Sequence, residues 1–125
     1  MTENELSGEI IGAAIEVHRV LGPGLLESIY EEAFGMELQD RNIRVSRQIK
    51  VPALYKGRRL QNSLRPDLLV ADLIVVEVKS VERILPVHEA QLPSYLRLTQ
   101  KKLGLLMNFH STALSKSVRR FVNQL

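Results

Sequence analysis

The chain has 125 residues, 17 Lys/Arg against 14 Asp/Glu, a formal net charge of +3, 45% apolar and 25% charged residues. These are the proportions of a globular domain that can bury a core without staples, so residues 1–125 are expected to form a single domain. There is no cysteine, which excludes disulfides, thiolate zinc sites, iron–sulfur clusters and thiol catalysis.

No apolar run approaches the roughly 20 residues that cross a bilayer. The acidic segment after Met1 lacks the basic start and apolar stretch of a secretory signal, so a cytoplasmic protein without membrane association is expected. The modest net charge conceals segregation. Residues 1–40 carry nine acids and one base (Arg19), a balance of −8; residues 41–65 carry eight bases and no acid, a balance of +8. Residues 66–125 are mixed, at +3.

Residues 4–21 place Ile10, Ile11, Ala14, Ile15, His18 and Leu21 at helical spacing, which predicts an amphipathic helix with Thr2 and Glu5 as a capping box. Leu21-Gly22-Pro23-Gly24 stops it in a corner. A second helix is expected at about 25–40, with Leu25, Leu26, Ile29, Ala33, Phe34 and Leu38 inward. The period then changes. Ile43, Val45, Arg47 and Ile49 alternate with Arg44, Ser46, Gln48 and Lys50, as in a half-buried strand. Val51–Leu60 reads as a strand or a hairpin turning at Lys56-Gly57. Leu64–Val70 and Leu73–Val78 are β-rich runs around Ala71-Asp72. Pro86 suits the first turn of a helix at about 86–100. A short strand follows at Leu103–Phe109, and the amphipathic tail 113–125 reads as a last helix. The order α-α-β-β-β-β-α-β-α predicts an α/β (α+β) fold, a mixed sheet flanked by helices.

The most informative stretch is Arg65-Pro66-Asp67, followed ten residues later by Glu77-Val78-Lys79. Glu77 and Lys79 stand at i and i+2 on a strand and share a face. Charges among Val75, Val76 and Val78 need a partner or a metal, since an isolated buried charge is costly. Two carboxylates suit Mg²⁺ or Mn²⁺. Register decides whether they meet. A two-residue turn at Ala71-Asp72 would set Asp67 against Val76 and leave Glu77 on the other face; a three-residue connection or a bulge sets Asp67 opposite Glu77. The odd-residue connection is expected, because the chemistry needs a shared face.

Asp67 and Glu77-Val78-Lys79 resemble the D…(D/E)-x-K signature of the PD-(D/E)XK, restriction-endonuclease-like nuclease superfamily. Gly24-Leu25-Leu26-Glu27-Ser28-Ile29-Tyr30 reads G-x-x-E-x-x-Y, the signature of the GxxExxY proteins. His88-Glu89-Ala90-Gln91, continuing to Tyr95, is similar to the H-E-A-Q and Q-x-x-x-Y elements of that group. The resemblance implies an α-β-β-β-α-β core with Asp67 and Glu77 as metal ligands, Glu27 as an additional acid and Lys79 as the catalytic lysine. Gln91 joins the catalytic set, and Tyr30, His88 and Tyr95 support it. A nuclease hydrolysing phosphodiester bonds follows, with Mg²⁺ or Mn²⁺ as cofactor and DNA or RNA as partner.

Plainer readings stand beside these. Asp67 can be an edge acid, and Glu77–Lys79 a same-face ion pair. Glu27 lies in a first helical turn, where acids favour the positive dipole end. Tyr30 can pack in the core with its hydroxyl satisfied, and Gln91 can bond backbone. His18, His88 and His110 lack metal-ligand spacing. Arg44, Arg47, Lys50, Arg58, Arg59 and Arg65 suit phosphate-backbone contacts. They equally suit a solvated strand face, or pairing with the acidic helices within one chain or across a homodimer. The alternative function is a non-catalytic nucleic-acid-binding or self-assembly module that retains the nuclease fold.

Overall fold

The computed structural model describes residues 1–124. Helix α1 (Glu3–Leu21) starts at the expected cap, the Thr2 side chain accepting from the Glu5 N–H at 3.1 Å, but the capping box is half formed, because the Glu5 carboxylate accepts from the Thr2 hydroxyl and not from its N–H. It buries Leu6, Ile10, Ala13, Ala14 and Val17, whereas Ile15 and Leu21 are exposed. Gly22, at φ 73°, ends it by donating to His18 O. Only glycine takes that left-handed φ without strain.

Helix α2 (Glu27–Asp40) begins later than the apolar pattern suggested. Its inward stripe is Tyr30, Phe34 and Leu38, each fully buried and four residues apart. Leu25, Leu26 and Ile29 are exposed instead of inward. The physical reason is the start: with Leu26 as the cap, the stripe is phased by Tyr30. The Tyr30 hydroxyl donates to Gly22 O at 2.5 Å and accepts from the Leu25 N–H at 3.0 Å, which pins the glycine corner.

Five strands form the main sheet, in the order β1 (Val45–Arg47), β4 (Leu68–Val70), β5 (Ile74–Lys79), β6 (Leu103–Asn108) and β7 (Val118–Val122). Strands β5 and β6 are parallel and joined through α3 (Pro86–Thr99); the other pairs are antiparallel. A separate two-stranded ribbon, β2 (Val51–Tyr55) and β3 (Arg58–Leu64), turns through Lys56-Gly57, both at positive φ. That is the hairpin geometry whose twist matches the strands.

The tail differs from its expected helix. Leu114–Lys116 is a single 3-10 turn and Val118–Val122 is β7, paired along β6. Leu114, Val118, Phe121 and Val122 satisfy helical spacing, but the unpaired backbone of β6 offers a ladder that a helix would leave open.

Helices α1 and α2 cover one sheet face, where Val70, Val76, Val78, Leu105 and Met107 meet Ile10, Phe34 and Leu38. Phe109 stacks on Tyr30 at 4.8 Å between ring centroids and meets the edge of Phe34 at 5.9 Å. On the other face Leu69, Val75 and Leu106 pack with Leu92 and Leu96 of α3. Each such buried side chain contributes roughly 1.5–3 kcal/mol relative to exposure. The helix sits close because Gly104 leaves room: a Cβ there would lie 2.9 Å from Leu92 Cδ1.

Candidate active site

The β4–β5 connection places the central acids. Ala71 and Asp72 both have positive φ, and the Leu73 N–H donates to Val70 O at 2.9 Å. Val70 nevertheless pairs with Ile74, so Leu73 is one extra residue and the connection has three. Leu68 pairs with Val76, and one further step along that ladder sets Asp67 opposite Glu77. This is the expected odd-residue connection. Asp67 is locked in place, since its Oδ2 accepts from the Val78 N–H at 2.8 Å and its carbonyl accepts from the Gln48 N–H at 3.0 Å.

Glu77 shares the α3-side face with Val75 and Leu69. It is 3% exposed, and its Oε1 has no hydrogen-bond partner. Burial pushes its pKa up to about 9. The neighbouring Asp67 charge and side chain push in the same direction, and the Lys79 charge opposes them. Lys79 is half-buried at the end of β5, and its carbonyl accepts from the Phe109 N–H. Thus the structure brings Asp67, Glu77 and Lys79 to one face at one end of the sheet.

The acid that α2 lends to this end is Glu31. It is 7% exposed, and the Gln48 Nε2 donates to both its oxygens at 3.0 and 3.1 Å and also to Asp67 Oδ1 at 3.1 Å. Arg47 lies 3.3 Å from the same carboxylate. Burial is the main cause raising the Glu31 pKa, with the Asp67 charge adding to it. Glu27, one turn earlier, is half-buried, and its side chain takes part in no hydrogen bond or ion pair among the described residues. Glu31 and Gln48 were missed by sequence reasoning. Glu31 follows Glu27 at i+4 on the same helix face, a usable signal. Gln48 looked like the polar side of a strand, and its φ of 52° marks the kink at which its amide reaches Glu31 and Asp67.

The remaining predicted residues are more dispersed. Gln91 Nε2 donates to the Tyr95 hydroxyl at 3.1 Å on α3. His88 Nδ1 accepts from the Leu85 N–H at 3.0 Å, a capping bond that opens α3. Tyr30 serves the glycine corner, and His18 Nε2 bonds Ser111 O at 2.7 Å. Among the described residues, Arg44, Lys50, Arg58, Arg59 and Arg65 are exposed and form no ion pair, whereas Arg47 is bound to Glu31. Arg41, from the same basic block, pairs with Glu9 and Glu37.

No helix of the described residues is long and apolar enough to cross a membrane. Among them, no three His, Cys, Asp or Glu side chains converge closely enough to form a ready-made cation cage. The donor set still fits a hard cation. Mg²⁺ is ordinarily held by one or two carboxylates together with waters and substrate phosphates, not by an all-protein cage. Asp67 and Glu77 supply two carboxylates, and the unpartnered Oε1 of Glu77 is the buried oxygen such an ion would satisfy.

No curated protein and no solved structure matches the chain. A family model described as the PD-(D/E)XK nuclease superfamily matches residues 4–121, a span from the first turn of α1 into β7 that includes Asp67, Glu77 and Lys79. The chain belongs to the PD-(D/E)XK nuclease superfamily.

Proposed function

We propose that the protein is a cytoplasmic, Mg²⁺- or Mn²⁺-dependent nuclease that hydrolyses phosphodiester bonds in DNA or RNA. The observation that carries this reading is the buried, unpartnered Oε1 of Glu77, on the same face as Asp67 and Lys79. Asp67 and Glu77 would hold the ion, with Glu31 as the helix-borne acid beside them and Glu27 at the entrance of α2. When bound, the ion supplies Lewis-acid stabilisation of charge on the phosphate and lowers the pKa of a coordinated water.

The chain's own groups do the rest. Lys79 orients the attacking water and offsets negative charge growing on the phosphate oxygens. Gln48 holds Glu31 and Asp67 in fixed relation, and the Gln91–Tyr95 pair lines α3 on the same side of the sheet. Arg44, Lys50, Arg58, Arg59 and Arg65 supply unpaired positive charge for backbone phosphates, which position a nucleic acid without reading its sequence. The GxxExxY grouping rests on the motifs at Gly24–Tyr30 and His88–Tyr95.

A second reading is a non-catalytic module that binds nucleic acid or a second copy of the chain. Its support is that Gln48 already bridges two of the acids without a cation. Cleavage of varied DNA and RNA substrates with Mg²⁺ or Mn²⁺ separates the two. Hydrolysis that falls at least a hundredfold in Lys79→Ala is expected for the nuclease. Hydrolysis unchanged in that variant contradicts it.

A further inference from the structure

Beyond the acids and the basic ribbon, one polar cavity has no role in the reading above. It has a volume of about 370 Å³ and opens where β5 and β6 end and β7 begins. Arg83, Lys116 and Arg119 line it, against one acid, Glu82. Among the described residues neither Arg83 nor Lys116 has an ion-pair partner, while Arg119 is shared with Glu89 of α3 at 2.6 Å. Ser117 adds a hydroxyl to the wall.

The floor is built. Asn108 is 7% exposed, and its Oδ1 accepts from the Val81 and His110 N–H groups while its Nδ2 donates to Val81 O. Those bonds tie the loop after β5 to the end of β6 and hold Arg83 at the rim.

The sheet register links this cavity to the acids. Glu77 pairs with Leu106, and Leu106 pairs with Arg119. Asp67, Glu77, Leu106 and Arg119 therefore form one row across four strands, all on the α3-side face. Neighbouring strands lie about 4.8 Å apart, so Arg119 stands roughly 10 Å along the row from Glu77. Duplex nucleic acid advances about 3.4 Å per nucleotide on each strand. A phosphate held in the cavity would thus lie within a few nucleotides of one held at the acids.

From this we infer that Arg83, Lys116 and Arg119 form a phosphate subsite for a nucleic-acid strand, separate from the ribbon of β2 and β3. The inference rests on the nuclease reading for its substrate class, but its geometry needs no metal. The phosphate is either an internal phosphodiester or a terminal phosphate.

The test is binding of a fluorescent single-stranded oligonucleotide, with and without a 5′-phosphate, to the full chain in excess chelator over a series of salt concentrations. In Arg83→Ala/Lys116→Ala, affinity at low salt should fall about tenfold, and the slope of log K against log salt should shrink by about 0.7. Equal losses for both oligonucleotides identify a backbone phosphate. A wild-type preference for the phosphorylated end that vanishes in the variant identifies a terminal one. Unchanged affinity and slope in the double variant overturn the subsite, as does a wild type that binds neither oligonucleotide. Because no metal is present, either failure leaves the Asp67–Glu77 site to be judged separately by metal calorimetry. Both side chains are exposed, and an unchanged melting temperature confirms an intact fold.

Discussion

The two hairpins of this protein turn in the same way and serve opposite ends. Each passes through two consecutive residues at positive φ, Lys56-Gly57 in one and Ala71-Asp72 in the other. The β2–β3 ribbon pairs Tyr55 directly with Arg58, stands outside the main sheet, and leaves nearly every residue of β3 in solvent. The β4–β5 hairpin adds Leu73, lies inside the sheet and is buried along almost its whole length. One extra residue makes the difference that matters. It sets the pairing so that Asp67 and Glu77 share a face, whereas the ribbon, buried only at Ala53, places no pair of acids and needs no such parity.

The largest effect should come from removing that residue. Deleting Leu73 forces β4 to slip by one position against β5, which exchanges its core-facing and opposite-face side chains. A loss of at least about 4 kcal/mol is expected in denaturant melts. Wild-type stability in the deletion would show that the extra residue does not fix the register.

The next effect distinguishes a buried carboxylate from exposed charges. The pKa of Glu77 is raised to about 9 in the folded chain, against an ordinary value near 4.5. The folded state then holds a proton that the unfolded state has released. Stability from this group is fully present below about pH 4.5, falls as pH rises, and is gone above about pH 9. In metal-free protein, Glu77→Gln should remove most of that decline and be more stable than wild type by several kcal/mol at pH 9. Parallel pH–stability curves for the two proteins would contradict the burial argument.

A smaller loss is expected at Gln48. Replacing it by Leu takes the bridging donor from Glu31 and Asp67 and should destabilise by about 1–3 kcal/mol. Adding Glu31→Gln should recover part of that, as measured by thermal unfolding. The ribbon gives the smallest change in stability. Arg58→Ala/Arg59→Ala should stay within about 0.5 kcal/mol of wild type, while oligonucleotide binding weakens and loses salt dependence.

The same contrast explains which features were legible in the sequence. The β2–β3 hairpin was legible because Lys56-Gly57 sits between two strand-like runs, and the β4–β5 register was legible because parity is arithmetic once a shared face is required. The mixed sheet and its two helical layers followed from period alone. The tail was not legible, since Leu114, Val118, Phe121 and Val122 fit either period and the ladder offered by β6 decided between them. The outward turn of Leu25, Leu26 and Ile29 depended on where α2 begins, which Tyr30 sets through the Gly22 corner. Gln48 was hidden for a related reason. Its left-handed backbone ends β1, sends Ile43 and Val45 into the α1–α2 core and turns Ile49 towards α3. Strict alternation cannot express such a kink, so the bridge between Glu31 and Asp67 emerges only from the fold.

If the protein is a metal-dependent nuclease, Asp67 and Glu77 form one divalent-cation site. Calorimetric titration with Mn²⁺ or Mg²⁺ above neutral pH tests it most directly, comparing wild type with Asp67→Asn and Glu77→Gln. Saturable binding is expected in the wild type and should be lost in both variants. No binding at millimolar metal, or binding unchanged in either variant, would contradict it.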